Sequence, residues 1–180
     1  MIVPSSQPKK LKKDVEKILN GLGVLDEAVI VGIRGYYLNT MGVKKKNDRG
    51  IYDDAIFIIS PSVFASFNAN TDPSVYRKGV AVLKPGVHRY KKGRHGISKG
   101  KGYPALRPAT VGEKLPVTRD GVGDSQGIAI NIHKGSYKST SSLGCQTIYP
   151  DQWSGFINLA YEQMDRYKQK TIPYVLIENK

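Results

Sequence analysis

Residues 127–149 read GIAINIHKGSYKSTSSLGCQTIY. Gly127 to His133 is rich in β-branched residues and reads as a strand that delivers His133 at its end. Residues 134 to 144 (KGSYKSTSSLG) are polar and read as a loop. Upstream, Leu115 to Arg119 is a further strand, and Asp120-Gly121 between the two is a good turn dipeptide. This pattern of short strands and polar turns sets the expectation for the fold.

Working outward, Glu27 to Tyr37 (EAVIVGIRGYY) reads as a strand and Ala55 to Ser60 (AIFIIS) as a buried one. Asn39 to Asp54 is polar and turn-prone. Asn68 to Ser74 (NANTDPS) reads as a loop. Val80 to Lys84 is a strand candidate ending at Pro85-Gly86. Residues 91 to 114, rich in Gly, Lys and Pro, suggest long hairpin loops. Thr171 to Ile177 (TIPYVLI) is a terminal strand, and Pro173 argues for an edge or a bulge. Two helices are expected. Residues 7 to 20 place Leu11, Val15, Ile18 and Leu19 on one face, with Pro8 early and Gly21 at the C-cap. Asp151 to Gln169 lines Trp153, Phe156, Ile157, Ala160, Tyr161 and Met164 along one side, with Asp151 as cap. The expected fold is mainly β (α+β): a single domain over 1–180 with an N-terminal and a C-terminal helix.

The chain has 180 residues, enough to bury a core without metal or disulfide. Its 39% hydrophobic content excludes wholesale disorder. No apolar run reaches the length of a membrane helix, so no membrane span is expected. The N-terminus, MIVPSSQPKKLKKD, lacks a secretory layout. The expectation is synthesis in a cytoplasm, with action on a wall after release, or as a virion-associated or secreted effector. A single cysteine excludes an internal disulfide. Lys+Arg 28 against Asp+Glu 15 gives +13, which favours anionic partners: nucleic acid, membrane or cell wall. The cations are densest at Lys9, Lys10, Lys12, Lys13 and Lys17, and at Arg89, Lys91, Lys92, Arg94, Lys99 and Lys101. No RNA-binding aromatic motif or zinc-finger spacing accompanies them.

Nucleophilic catalysis by a thiol needs a nearby imidazole, close backbone approach, and N–H groups aimed at an oxyanion. Cys145 follows Gly144, and His133 can fold back from its strand end. The N–H groups of Gly144 and Cys145 are oxyanion candidates. Lys134 and Lys138 add positive potential.

His133-x-Gly135 followed by Ser142-x-Gly144-Cys145 resembles the catalytic signature of L,D-transpeptidases, the YkuD-like domain. The similarity is specific over about 20 residues and extends over roughly 80–178. It implies a β-rich fold with Cys145 as nucleophile and His133 as base, a backbone carbonyl often being the third partner. Gly144, Ser142 and Gly135 would form or position the oxyanion site, with Tyr137 and Gln146 contacting substrate. Pro85-Gly86 faintly echoes a further family element. The implied substrate is the peptide stem of peptidoglycan, with no cofactor and no metal. The thiolate would attack the carbonyl at the L-centre of the diamino acid, expel a D-amino acid, and pass the acyl group to an amine or water. Three departures accompany the match. Leu143 replaces the family histidine before Gly-Cys, Thr147 stands where an arginine is usual, and the intervening loop is short. Arg34, Arg89, Arg94 and Arg119 are then candidates for the substrate carboxylate. Residues 1–79 carry no placed motif, although 47–57 (NDRGIYDDAIF) and 67–74 (FNANTDPS) resemble phage- and prophage-encoded segments.

Three other readings compete. A non-catalytic basic protein could hold cell wall or nucleic acid. A zinc hydrolase could use His88, His95 and His133, although their spacing is not that of a zinc motif. A carboxylate-pair glycosidase could use Asp53 and Asp54, or Asp14 and Glu16; adjacent acids on a strand point to opposite faces, and these acids suit turns, caps and solvation.

Overall fold

The computed structural model describes residues 10–38 and 40–179, without the side chain of Lys99. The start of the expected first helix (Pro8 included), Lys9 of the basic cluster, and Asn39 lie outside the described residues. The elements are α1 (Lys12–Gly21), β1 (Val29–Arg34), β2 (Asp54–Ser60), β3 (Val63–Asn70), β4 (Ala81–Leu83), β5 (Gly86–His95), β6 (Tyr103–Pro108), β7 (Lys114–Arg119), β8 (Gly123–Ile128), β9 (Ile132–Lys134), β10 (Gln146–Ile148), α2 (Trp153–Arg166) and β11 (Ile172–Glu178). Strand outweighs helix, 39% against 19%, and the β-rich α+β expectation holds.

Eight strands close a barrel in the order β1-β11-β5-β6-β9-β10-β3-β2. β4, β7 and β8 form a separate three-stranded sheet. Most barrel pairs are antiparallel; β1 with β11 and β9 with β10 are parallel. Ile30, Ile56, Ile58, Leu106, Ile132, Tyr174 and Leu176 share one core with Phe156, Ala160 and Met164 of α2. Alternate residues Val29, Val31, Ile33, Phe57 and Val175 face a second core, closed by Val15 and Leu19 of α1.

Several boundaries differ from the reading of the sequence, each for a physical reason. β3 runs through Asn68–Asn70, because Asn68 and Ala69 pair with β2 and Ala69 and Asn70 with β10; ladder bonds on both sides outweigh the low β propensity of asparagine. The 91–114 stretch is not mostly loop. Residues 90–95 pair with 103–108 in a hairpin, residues 86–90 pair with β11, and the hairpin connection is confined to 96–102. The expected strand Gly127–His133 is broken in two. Ala129 takes φ 54, ending β8 in the small sheet and letting the chain re-enter the barrel as β9. Asp120-Gly121 does turn the β7–β8 hairpin, with Gly121 at φ 62. Pro173 lies inside the barrel, not on an edge. It is tolerated because the β1 ladder starts one residue later, at Ile30↔Tyr174, so only β5 flanks it. α2 starts after a short turn at Pro150–Gln152, and Asp151 accepts the Tyr137 hydroxyl instead of capping the helix. In α1, Leu11 is exposed before the first turn and Leu22 takes the C-cap position.

At one end of β1 and β2 lies a buried polar cluster. Arg34 contacts Asp72 at 3.1 Å and donates to the Thr71 and Leu83 carbonyls. Asp54 accepts from the N–H groups of Gly35 and Thr71, both at 2.5 Å. Asp53 and Asp54 are completely buried, which corrects the expectation of solvated turn acids. Burial and mutual repulsion push Asp53 up to about 8; burial and Asp72 push Asp54 up to about 7. Unfolded, both ionise near the ordinary carboxylate value, so the folded state holds the extra protons in between. Stability should therefore fall as pH rises from about 4 to about 8. Urea midpoints across that range test this, and Asp53→Asn should flatten the slope. A midpoint that rises with pH would contradict the account.

Candidate functional site

Gln146 donates its N–H to Asn131 O at 2.9 Å, and the parallel register sets Gln146 against Ile132 and Thr147 against His133. Paired residues face the same side of a sheet, and successive residues alternate. Ile132 and Gln146 therefore point inward; Asn131 and Cys145 stand just before the two strands, and His133 and Thr147 share the opposite face. The same face continues onto β6 and β5: Tyr103, Ala105 and Arg107 pair with His95, Gly93 and Lys91.

The cysteine sits at the end of a clamped turn. Ser142 Oγ donates to Cys145 O at 2.6 Å and accepts from Gly144 N at 3.0 Å. Ser74 holds Ser142 from outside, donating N–H to Ser142 O and accepting the Ser142 N–H on its hydroxyl. Gly144 has φ 133, and a Cβ there would stand 2.8 Å from Ala81 O, so only glycine fits. At Gly135 a Cβ would lie 2.0 Å from the Tyr52 hydroxyl, which bonds both the N–H and the carbonyl of Ser136. Gly135 and Ser142 thus shape and hold the loop. The Gly144 N–H is occupied by Ser142, which corrects its expected oxyanion role and leaves the Cys145 N–H as the remaining candidate.

Part of Cys145 reaches the surface, while its thiol is desolvated. The sulfur donates to Ala129 O at 3.6 Å. Burial pushes the thiol up to about 11, opposed by the Asn131 N–H and the Arg107 charge. No hydrogen bond joins Sγ to the imidazole among the described residues. His133 is buried. Its Nδ1 lies 2.8 Å from Lys134 O and 3.2 Å from the Tyr103 hydroxyl. A carbonyl only accepts, so Nδ1 carries the hydrogen and the Nε2 lone pair is the basic one. Burial, assisted by His95, lowers His133 to about 4. Both groups are neutral over the wide interval between.

Other expected residues are placed differently. Gln146 is fully buried, donating to Gly144 O and accepting from the Tyr174 hydroxyl, so its expected substrate contact is not available. Tyr137 is exposed, edge-on to Tyr149. The positive charge acting on the thiol comes from Arg107, not from Lys134 or Lys138. Arg34, Arg89, Arg94 and Arg119 are engaged elsewhere: Arg34 in the buried cluster, Arg89 with Asp26, Arg94 with the Lys101 and Gly102 carbonyls, and Arg119 with the Gly79 and Gln126 carbonyls. Arg107, whose side chain pairs with Glu113, was hidden in the stretch read as loop. His95 stacks on His133 with ring centroids 3.8 Å apart and 11° between planes. His88 is seven residues away on the same strand, roughly 23 Å, so the three histidines cannot share one metal ion. No group of metal-ligating side chains gathers among the described residues. No helix is long and apolar enough to cross a membrane.

Two buried polar atoms here, Asn131 Oδ1 and Thr147 Oγ1, have no hydrogen-bond partner. Such orphans are uncommon in folded proteins. Comparison with models of protein families, with curated proteins and with solved structures finds no match.

Two outcomes follow. Gly144→Ala should lower stability by roughly 1–3 kcal/mol from backbone strain alone, measured by urea unfolding; an unchanged midpoint would refute the constraint. Alkylation of Cys145 by iodoacetamide should be slow at neutral pH and accelerate up to about 11. A rate already maximal at pH 7 would show a preformed thiolate.

Proposed function

We propose that this chain is a cysteine acyltransferase or hydrolase acting on the peptide stem of peptidoglycan, similar to L,D-transpeptidases, and that it works through a thioester on Cys145. The observation that carries the reading is that Cys145 sits on the turn into β10, whose strand neighbour β9 carries a tautomerically fixed His133.

The chemistry runs between neutral partners. As Sγ attacks the stem carbonyl, its proton passes to His133 Nε2. The Nδ1–H bond to Lys134 O stabilises the imidazolium, a backbone carbonyl in the place the resemblance implies for a third partner. The tetrahedral oxygen takes the Cys145 N–H. The imidazolium then protonates the departing amine of the D-amino acid, and the acyl group stays on sulfur. An amine from a second stem, or water, attacks the thioester carbonyl and loses a proton to His133; the C–S bond breaks, and the imidazolium returns that proton to the departing Cys145 sulfur. Arg107 supplies the nearby positive charge. The positive charge suits an anionic wall.

Incubation with defined muropeptides, followed by mass, should show loss of a terminal D-amino acid or a new cross-linked dimer. Cys145→Ala should abolish turnover, and His133→Ala should reduce it by roughly 10²–10⁴-fold. The rate should be flat between limbs near about 4 and about 11. The desolvated thiol without an imidazole hydrogen bond favours a second reading, a non-catalytic protein that holds wall or nucleic acid through its charge. In that case no stem is altered and Cys145→Ala binds as well as the parent. Steep loss of affinity with salt would mark nucleic acid as the partner.

A further inference from the structure

β5 ends at His95 and β9 carries His133, and the β5–β6 hairpin brings the two imidazoles face to face. Their centroids are 3.8 Å apart and their planes nearly parallel. Asn131, just before β9, places its side-chain amide 3.0 Å from His95 Nδ1, and its backbone N–H acts on the Cys145 sulfur. One residue thus touches both the cysteine and the second histidine. Two imidazolium rings at van der Waals distance repel strongly in a desolvated setting. We infer that His95 is a positioning residue for the site: stacked on His133, it takes the first proton the pair accepts and keeps His133 as the neutral, Nε2-basic partner of Cys145.

The surroundings of His133 support this. From β6 it meets the Tyr103 hydroxyl, which burial holds neutral with a pKa pushed up to about 12. From the turn before β10 comes Cys145, a neutral thiol. Arg107 acts on that sulfur and is paired with Glu113. On its own strand, Lys134 turns its ammonium over the Tyr103 ring, 5.7 Å from the centroid. No carboxylate hydrogen-bonds the His133 ring among the described residues; the Lys134 carbonyl favours a charge on it, but burial and His95 outweigh that contact. His95 is less buried than His133 and is the ring better able to keep a charge hydrated. Asn131 also has an unpaired Oδ1, so reorienting its amide would offer an acceptor to a protonated His95 Nδ1.

This inference rests on His133 being the base for Cys145, but its test does not require turnover. The chain has three histidines, few enough to follow by NMR of the ring nitrogens in the full-length protein. In the parent, His95 should titrate first and His133 in a separate step at lower pH. His95→Phe keeps an aromatic ring in the stack and removes its charge. His133 should then titrate about one pH unit higher. His95→Gln serves the same purpose if the phenylalanine variant does not fold. An unchanged His133 midpoint in either folded variant would overturn the inference, as would two independent titrations near the ordinary histidine value in the parent. If no muropeptide is ever turned over while His133 still shifts, the catalytic reading fails and the coupling of the two rings stands.

Discussion

The Gln146 N–H donates to the Asn131 carbonyl, and with that bond a short segment after a polar loop becomes a parallel neighbour of β9. The rest of the site is a consequence. Parallel pairing in this register points Gln146 into the barrel and sets Cys145 on the turn just before it. A slip of one residue would turn the glutamine amide out of the barrel. The register is held from both sides. Inside, Tyr174 and Gln146 share a hydrogen bond. Outside, Ser142 closes the turn onto the Cys145 carbonyl, and Ser74 holds Ser142.

Ser74 also connects the turn to the buried acids at the other end of the same segment. Thr71 and Asp72, three and two residues earlier, are bound by Asp54 and Arg34. The cluster therefore fixes the strap that holds the cysteine turn. Its carboxylates are desolvated and close to one another, an arrangement whose stability depends on protonation. The site has a different electrostatic character. Its thiol and imidazole are both driven to neutrality by burial, which suits proton transfer during attack better than storage of a thiolate.

Much of this was legible in the chain itself. The β-branched runs at 29–34 and 55–60, the Asp120-Gly121 turn and the apolar face of α2 each carry a local signal strong enough to survive folding. So does the loop that delivers Gly144-Cys145, because a glycine before a cysteine in a polar stretch is a backbone requirement written in composition. What was not legible depends on partners distant in sequence. Asn68–Asn70 is extended only because β2 and β10 flank it. Arg107 becomes relevant only when the Lys-rich hairpin brings β6 beside β9. His95 looked like part of a cationic loop, and nothing local signals that its ring lies on His133. Gln146 shows the converse: its neighbour faces the site, yet alternation along the strand buries it.

The central claim is that the sulfur of Cys145 becomes acylated by a stem peptide with the help of His133. Intact-protein mass spectrometry during incubation with a stem tetrapeptide tests it most directly. The account predicts an adduct of the tripeptide acyl mass, mapped to Cys145 and absent in Cys145→Ala. A protein that binds the stem yet keeps Cys145 as a free thiol throughout would contradict it.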